Sequence, residues 1–291
     1  MNKETNALIA SATPVLFVLL WSTGFIGTKY VLNGAEPLTY LTVRMIVAAS
    51  IMGVIVLLTR PAWPDRAGIG HNIVAGCLIQ GLYLAGTVLA IAHQVPVGLS
   101  AIIPGLQPIL TSILASRFLN ERITPLQWGG LVLGLGGVLL VLHGRPMSGN
   151  AGWGWAASGL SLVTITIGTL YQKRFCGGTD WRAGSFIQQS AAMVMLGIGA
   201  FLFETRVIHW TTEFVLSVAW LAVVLSIGTV GLLYWLLRRQ ASSQVASLFY
   251  LVPAVTALMA FVLFGEKLDA MAIVGMVACG AAVLLVNRAK A

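Results

Sequence analysis

The chain has 291 residues, of which 58% are hydrophobic and 9% charged, with a net charge of +8. Soluble domains carry about 25% charged residues, so the composition excludes an ordinary soluble enzyme, and the apolar content excludes disorder. A bilayer-crossing helix uses about 20 apolar residues, and with short turns the chain has room for on the order of 11 crossings and almost nothing else.

The basic residues sit singly or in pairs between apolar runs, with no aromatic-studded basic face, so no nucleic-acid partner is expected. Cys77 and Cys279 fall inside apolar segments and Cys176 in a loop, without a C-x-x-C or a His/Cys ligand spacing. That pattern predicts no structural disulfide, no metal and no cofactor.

In chain order, the apolar runs predict helix 1 over Pro14 to Val31, helix 2 over Leu38 to Leu58, helix 3 over Ile73 to Ala92, helix 4 over Gly98 to Leu119 and helix 5 over Leu126 to Leu142. The Gly/Pro/Asn stretch 145–150 reads as a midpoint linker. Helix 6 follows over Trp153 to Tyr171, helix 7 over Ala183 to Phe203, helix 8 over Phe214 to Leu237, helix 9 over Ser243 to Phe264 and helix 10 over Met271 to Val286. The first run is read as a helix rather than a signal peptide, because one Lys and one Glu precede it and no small-residue cleavage site follows.

Lys and Arg set the orientation. With the N-terminus cytoplasmic, Lys29, Arg145, Arg206 and Lys267 lie outside, Arg44 lies within helix 2, and the other twelve of the 17 lie inside. Short-loop bias of this kind places both termini in the cytoplasm, which needs an even number of crossings.

The chain also aligns with itself. At an offset of 145, Leu106-Gln107-Pro108 lies over Leu251-Val252-Pro253, Thr111 over Thr256, Glu121 over Glu266 and Gly130 over Gly275. At an offset of 141, Thr23, Gly27, Thr28 and Tyr30 lie over Thr164, Gly168, Thr169 and Tyr171. A Pro, a Thr and a Glu at one shared offset argue for an internal repeat. The expected fold is an all-α integral membrane protein. Its ten transmembrane helices form two five-helix repeats, 1–144 and 151–291, around a central cavity. An odd number of helices per repeat inverts the second half relative to the first, which is a signature of secondary transporters.

The chain resembles the drug/metabolite transporter superfamily and its ten-helix EamA-type members. The matching residues are Trp21-Ser22-Thr23-Gly24-Phe25 with Lys29 in helix 1 and Arg44 within Leu41-Thr42-Val43-Arg44-Met45. The Pro108-to-Glu121 and Pro253-to-Glu266 patterns complete the match. Within that superfamily it is most similar to YddG-type exporters. This resemblance implies export of aromatic and other neutral amino acids by alternating access, in the cell inner membrane. The halves depart from symmetry: Gln189 stands at the Arg44 equivalent and Leu162 at the Trp21 equivalent.

Polar residues inside the apolar helices fall on stripes: Thr23 and Gly27 in helix 1, Gln80 and Tyr83 in helix 3, Gln107 in helix 4, and Thr164 and Gly168 in helix 6. A polar stripe in a bilayer faces protein or water. Packing by small polar residues competes with a cavity role at each position. Trp21, Tyr83, Tyr234 and Tyr250 are the aromatic candidates, able to hold a ring or an ammonium. Arg44 lies too deep to snorkel and is expected to meet carbonyls, water or a substrate carboxylate. Pro104, Pro108 and Pro253 are candidate hinges, since each removes a backbone donor and bends its helix.

A carrier of drugs or other small metabolites, or a nucleotide-sugar transporter, is the alternative within transport. A phosphate-bearing substrate wants several buried cations, and only Arg44 is clearly available. An enzyme is not expected, because His71, His93, His143 and His209 all lie near helix ends, outside any catalytic spacing. The partners are a small-molecule substrate and the bilayer. No oligomer is required, and a monomer suffices.

Overall fold

A computed structural model of the chain describes residues 3–93, 102–119, 122–141, 152–264 and 269–288. The predicted linker 145–150, the start of predicted helix 4 and the Glu121 and Glu266 positions lie outside the described residues. Among the described residues every regular element is helical, with one isolated antiparallel bridge pairing Ala35 with Ile208.

In chain order these are α1 (Lys3–Val31), α2 (Pro37–Thr59) and α3 (Arg66–Ala92), then α4 (Ile102–Phe118), α5 (Pro125–Val141) and α6 (Gly152–Phe175). α7 (Trp181–Phe203) and α8 (Thr212–Arg239) follow. α9 joins Ser242–Ser247, a 3-10 turn at Leu248–Tyr250 and Leu251–Phe264, and α10 is Ala270–Arg288. The helices α2, α3, α7, α8, α9 and α10 are long and apolar enough to cross a bilayer, and shorter apolar stretches cover residues 12–28 and 125–141.

The ends follow local chemistry. Pro37 opens α2, where its missing N–H costs nothing. Asp65 accepts from Gly68 N and Asp180 from Arg182 N, while Thr211 accepts from Phe214 N at the start of α8. α1 begins at Lys3 and α3 at Arg66, ahead of the apolar runs that predicted them, because helical hydrogen bonds are made by the backbone and continue through polar residues.

Two helix pairs carry small residues at their contacts. Along α5 and α10, a Cβ at Gly137 would lie 2.8 Å from the Gly275 carbonyl, and one at Gly275 would lie 2.5 Å from the Gly137 carbonyl. Gly137 and Gly275 thus serve close backbone approach between the two helices. α2 lies along α7, with Gly53 on the Phe186 ring and Gly199 on Leu38.

At one end of the α2–α7 pair, two carboxylates each accept hydrogen bonds from the opposite segment. Glu204 accepts from Leu38 N, Thr39 N and Thr39 Oγ1, each at 2.7 Å. Glu36 accepts from Thr205 N at 2.7 Å, Thr205 Oγ1 at 2.6 Å and Arg206 N at 3.2 Å. The Ala35–Ile208 bridge and a bond from His209 N to Gly34 O at 2.8 Å complete the clasp.

The Thr205 hydroxyl, its N–H and the Arg206 N–H hold the Glu36 carboxyl below its ordinary value of 4.5, against a smaller opposing effect of burial. A depressed carboxylate pKa stabilises the folded clasp fully above the ordinary value and loses that contribution as pH falls through the lowered one. Amide exchange in segment 204–211 should therefore be faster in Glu36→Gln than in wild type at neutral pH. The two should converge once the pH drops below the depressed Glu36 value. A difference that persists unchanged in strong acid contradicts this reading of the clasp.

Candidate functional site

Helices α1, α2, α3 and α8 line a partly open cavity of about 50 Å³. A water needs roughly 10–15 Å³ of such space, and small-molecule pockets start near 300 Å³, so in this conformation the cavity admits a few waters and is closed to a metabolite.

Its walls differ in chemistry. α1 contributes Trp21, Gly24, Phe25 and Thr28; α3 contributes Gln80, Tyr83 and Thr87; α2 contributes Arg44; and α8 contributes Leu225 and Val230. The aromatic wall is braced from behind. The Trp21 and Tyr83 ring centroids are 6.0 Å apart, and Trp21 meets Phe249 edge-on at 5.0 Å and Phe17 at 5.2 Å. Thr87 Oγ1 donates to the Tyr83 carbonyl at 2.9 Å and lies 2.7 Å from Ser161 Oγ, which ties this part of α3 to α6.

Arg44 is 4% exposed. Its Nε donates to Ser226 Oγ at 2.9 Å and its Nη1 to Tyr40 Oη at 3.3 Å. Among the described residues it has no carboxylate partner, so a guanidinium with five donors keeps several of them unspent at the cavity wall. The Gln80 side-chain nitrogen is likewise buried with no partner.

Sequence reasoning missed one backbone feature. Cys77–Leu82 in α3 and Leu221–Thr229 in α8 are wound as π-helix. Shifted by the repeat offset of 145, the first falls inside the second, and both supply cavity-lining residues. Wide π turns concentrate at functional positions. In α8 the hydroxyls of Ser226 and Thr229 donate to the Leu221 and Val224 carbonyls five residues back, matching the wider turn. Ser226 and Thr229 are polar residues deep in an apolar run, which was the one available signal.

Of the candidates read from the sequence, the structure brings Trp21, Arg44, Gln80 and Tyr83 to this cavity. It does not bring the others there. Thr23 Oγ1 donates to the Leu20 carbonyl and accepts from Trp220 Nε1 at 3.0 Å, and Gly27 packs on Leu221. Thr164 bonds back to the Leu160 and Ser161 carbonyls, and Gly168 lets α6 close on Ile79. Gln107 is buried on α4 with its Oε1 unpartnered. Tyr234 Oη donates to the Cys176 carbonyl at 3.2 Å, and Tyr250 Oη to the Leu131 carbonyl at 2.7 Å.

Pro108 is buried inside a continuous α4. Pro104 also lies on the α4 backbone. Pro253 is buried just after the 3-10 turn that interrupts α9, where the ring is tolerated as in a first helical turn.

Comparison with known proteins places this architecture. The EamA-like transporter family model matches the chain twice, over residues 8–143 and 153–288. The uncharacterized inner membrane transporter YedA of Escherichia coli K12 is 23% identical over 272 residues, covering 94% of this chain and 88% of its own. A probable amino-acid metabolite efflux pump of Salmonella typhimurium LT2 is 27% identical, covering 90% of this chain and 89% of its own. One solved crystal structure shares the fold, with a TM-score of 0.75 and 20% identity over 95% of both chains. The chain is therefore a member of the EamA-like transporter family, a membrane transporter and not an enzyme.

Proposed function

We propose that the chain is a secondary carrier of the inner membrane that exports small carboxylate-bearing metabolites, neutral and mainly aromatic amino acids foremost. In this reading ten transmembrane helices form two inverted five-helix halves, both termini are cytoplasmic, and the central cavity opens to alternate sides. The double family match and the 145-residue offset support the repeat. The family relative named as an amino-acid metabolite efflux pump supports the substrate class.

The observation that carries the proposal is Arg44, a buried guanidinium at the cavity wall with no carboxylate partner among the described residues. A charge in that setting is costly unless paired. A substrate carboxylate supplies the pairing. Trp21 and Tyr83 then face the substrate's apolar group or its ammonium, and Gln80 donates through its unspent nitrogen. Tilting of α4 and α9 about Pro104, Pro108 and Pro253 widens the cavity, and brings Gln107 toward the substrate. Nucleotide sugars would need more cations than the single Arg among the lining residues.

Counterflow in proteoliposomes tests this. Vesicles preloaded with unlabelled phenylalanine should accelerate entry of labelled phenylalanine well above empty liposomes. Entry equal to empty liposomes for every neutral amino acid contradicts the proposal.

A further inference from the structure

One serine of α8 receives a side chain from each half of the chain. Arg44 of α2 donates Nε–H to Ser226 Oγ at 2.9 Å, and Gln189 of α7 donates its side-chain N–H to the Ser226 carbonyl at 2.6 Å. Arg44 and Gln189 are 145 residues apart, the offset at which the halves align. Equivalent positions thus converge on a single π turn, one bearing a permanent cation and the other a neutral amide. Both are buried, Arg44 at 4% and Gln189 at 0% exposure. Gln189 Oε1 has no hydrogen-bond partner, so the group it leaves spare is an acceptor.

Charge accounting in a low-dielectric site then limits the ligand. One guanidinium neutralises one carboxylate; a second carboxylate would remain uncompensated, because Gln189, which reaches the cavity wall only through Ser226 beside Arg44, brings no charge. The geometry points to Gln189 as the residue that sets the substrate's charge: it restricts the cavity to compounds with a single carboxylate and excludes dicarboxylates. This rests on the amino-acid carrier reading given above.

The test uses the full chain in liposomes, with glutamine and glutamate competing against labelled phenylalanine uptake. The two competitors are near-isosteric and differ by one negative charge. In wild type, glutamate should compete at least about tenfold more weakly than glutamine, a difference of about 1.4 kcal/mol. In Gln189→Arg, glutamate should compete at least as well as glutamine. Glutamate remaining the weaker competitor in that variant, or neither compound competing, overturns the inference, as does wild type accepting both equally.

The exchanged variant R44Q/Q189R covers the case in which Gln189→Arg fails to fold. It keeps one cation on the other half, and should recover phenylalanine uptake relative to Arg44→Gln alone while still discriminating against glutamate. No recovery in a monodisperse double variant overturns the inference. Absence of phenylalanine uptake by wild type is a different failure, since it removes the carrier reading itself and this inference with it.

Discussion

Arg44→Gln should lower uptake of neutral amino acids at sub-saturating concentration by at least about 100-fold, equivalent to about 3 kcal/mol. Among the described residues the substitution removes the only cation lining the cavity, so a carboxylate entering it loses its charge-assisted partner. The variant should remain folded, because Ser226 Oγ and Tyr40 Oη, which accept from Arg44, can accept instead from the glutamine amide N–H or from water. Arg44→Lys keeps the charge and loses the planar fork, and an intermediate loss of about tenfold is expected. A carboxylate-free probe such as phenylalaninamide distinguishes recognition from collapse of the site: its weak uptake should be the same in wild type and Arg44→Gln. Equal losses for both compounds would assign Arg44 a packing role instead.

The second large effect concerns stability. Gly137→Val should lower the thermal midpoint of the purified protein by roughly 5–10 °C, following an overpacking cost of about 1–3 kcal/mol. The physical reason is local and severe. A Cβ at position 137 would stand 2.8 Å from the Gly275 carbonyl and 2.9 Å from Cys279 N, both on α10, and backbone atoms cannot rotate away as a side chain can. Gly136→Val is the matched control, since no atom stands within 4 Å of a Cβ there. Differential scanning fluorimetry on the two variants settles the point. Equal midpoints would mean that α5 and α10 separate without cost.

The sequence made the membrane class legible because apolar length is a property of single segments, and each helix needs only its own run to declare itself. Arg44 was legible for the same reason, as a charge stranded in an apolar run.

What the sequence hid depended on partners. Beyond the polar Ser226 and Thr229, the π turns at Cys77–Leu82 and Leu221–Thr229 carry no compositional mark, because a wide turn is fixed by what packs against it. Tyr234 and Tyr250 stood out as cavity candidates by residue type, yet which carbonyl a phenol reaches is decided by the neighbouring helix. Ser226 is a small polar residue in an apolar run, a type that ordinarily serves helix packing. Its part in joining α2, α7 and α8 emerged only from the side chains that arrive there.

Alternating access requires the two halves to cross the membrane in opposite senses, and paired cysteine labelling tests that directly. Ala62 and Val207 are exposed and 145 residues apart, in loops that the repeat makes equivalent. In a background lacking Cys77, Cys176 and Cys279, Val207→Cys should react with a membrane-impermeant maleimide added outside intact cells, and Ala62→Cys only after permeabilisation. Reaction of both from the same side would contradict the inverted halves, and with them the alternating cavity.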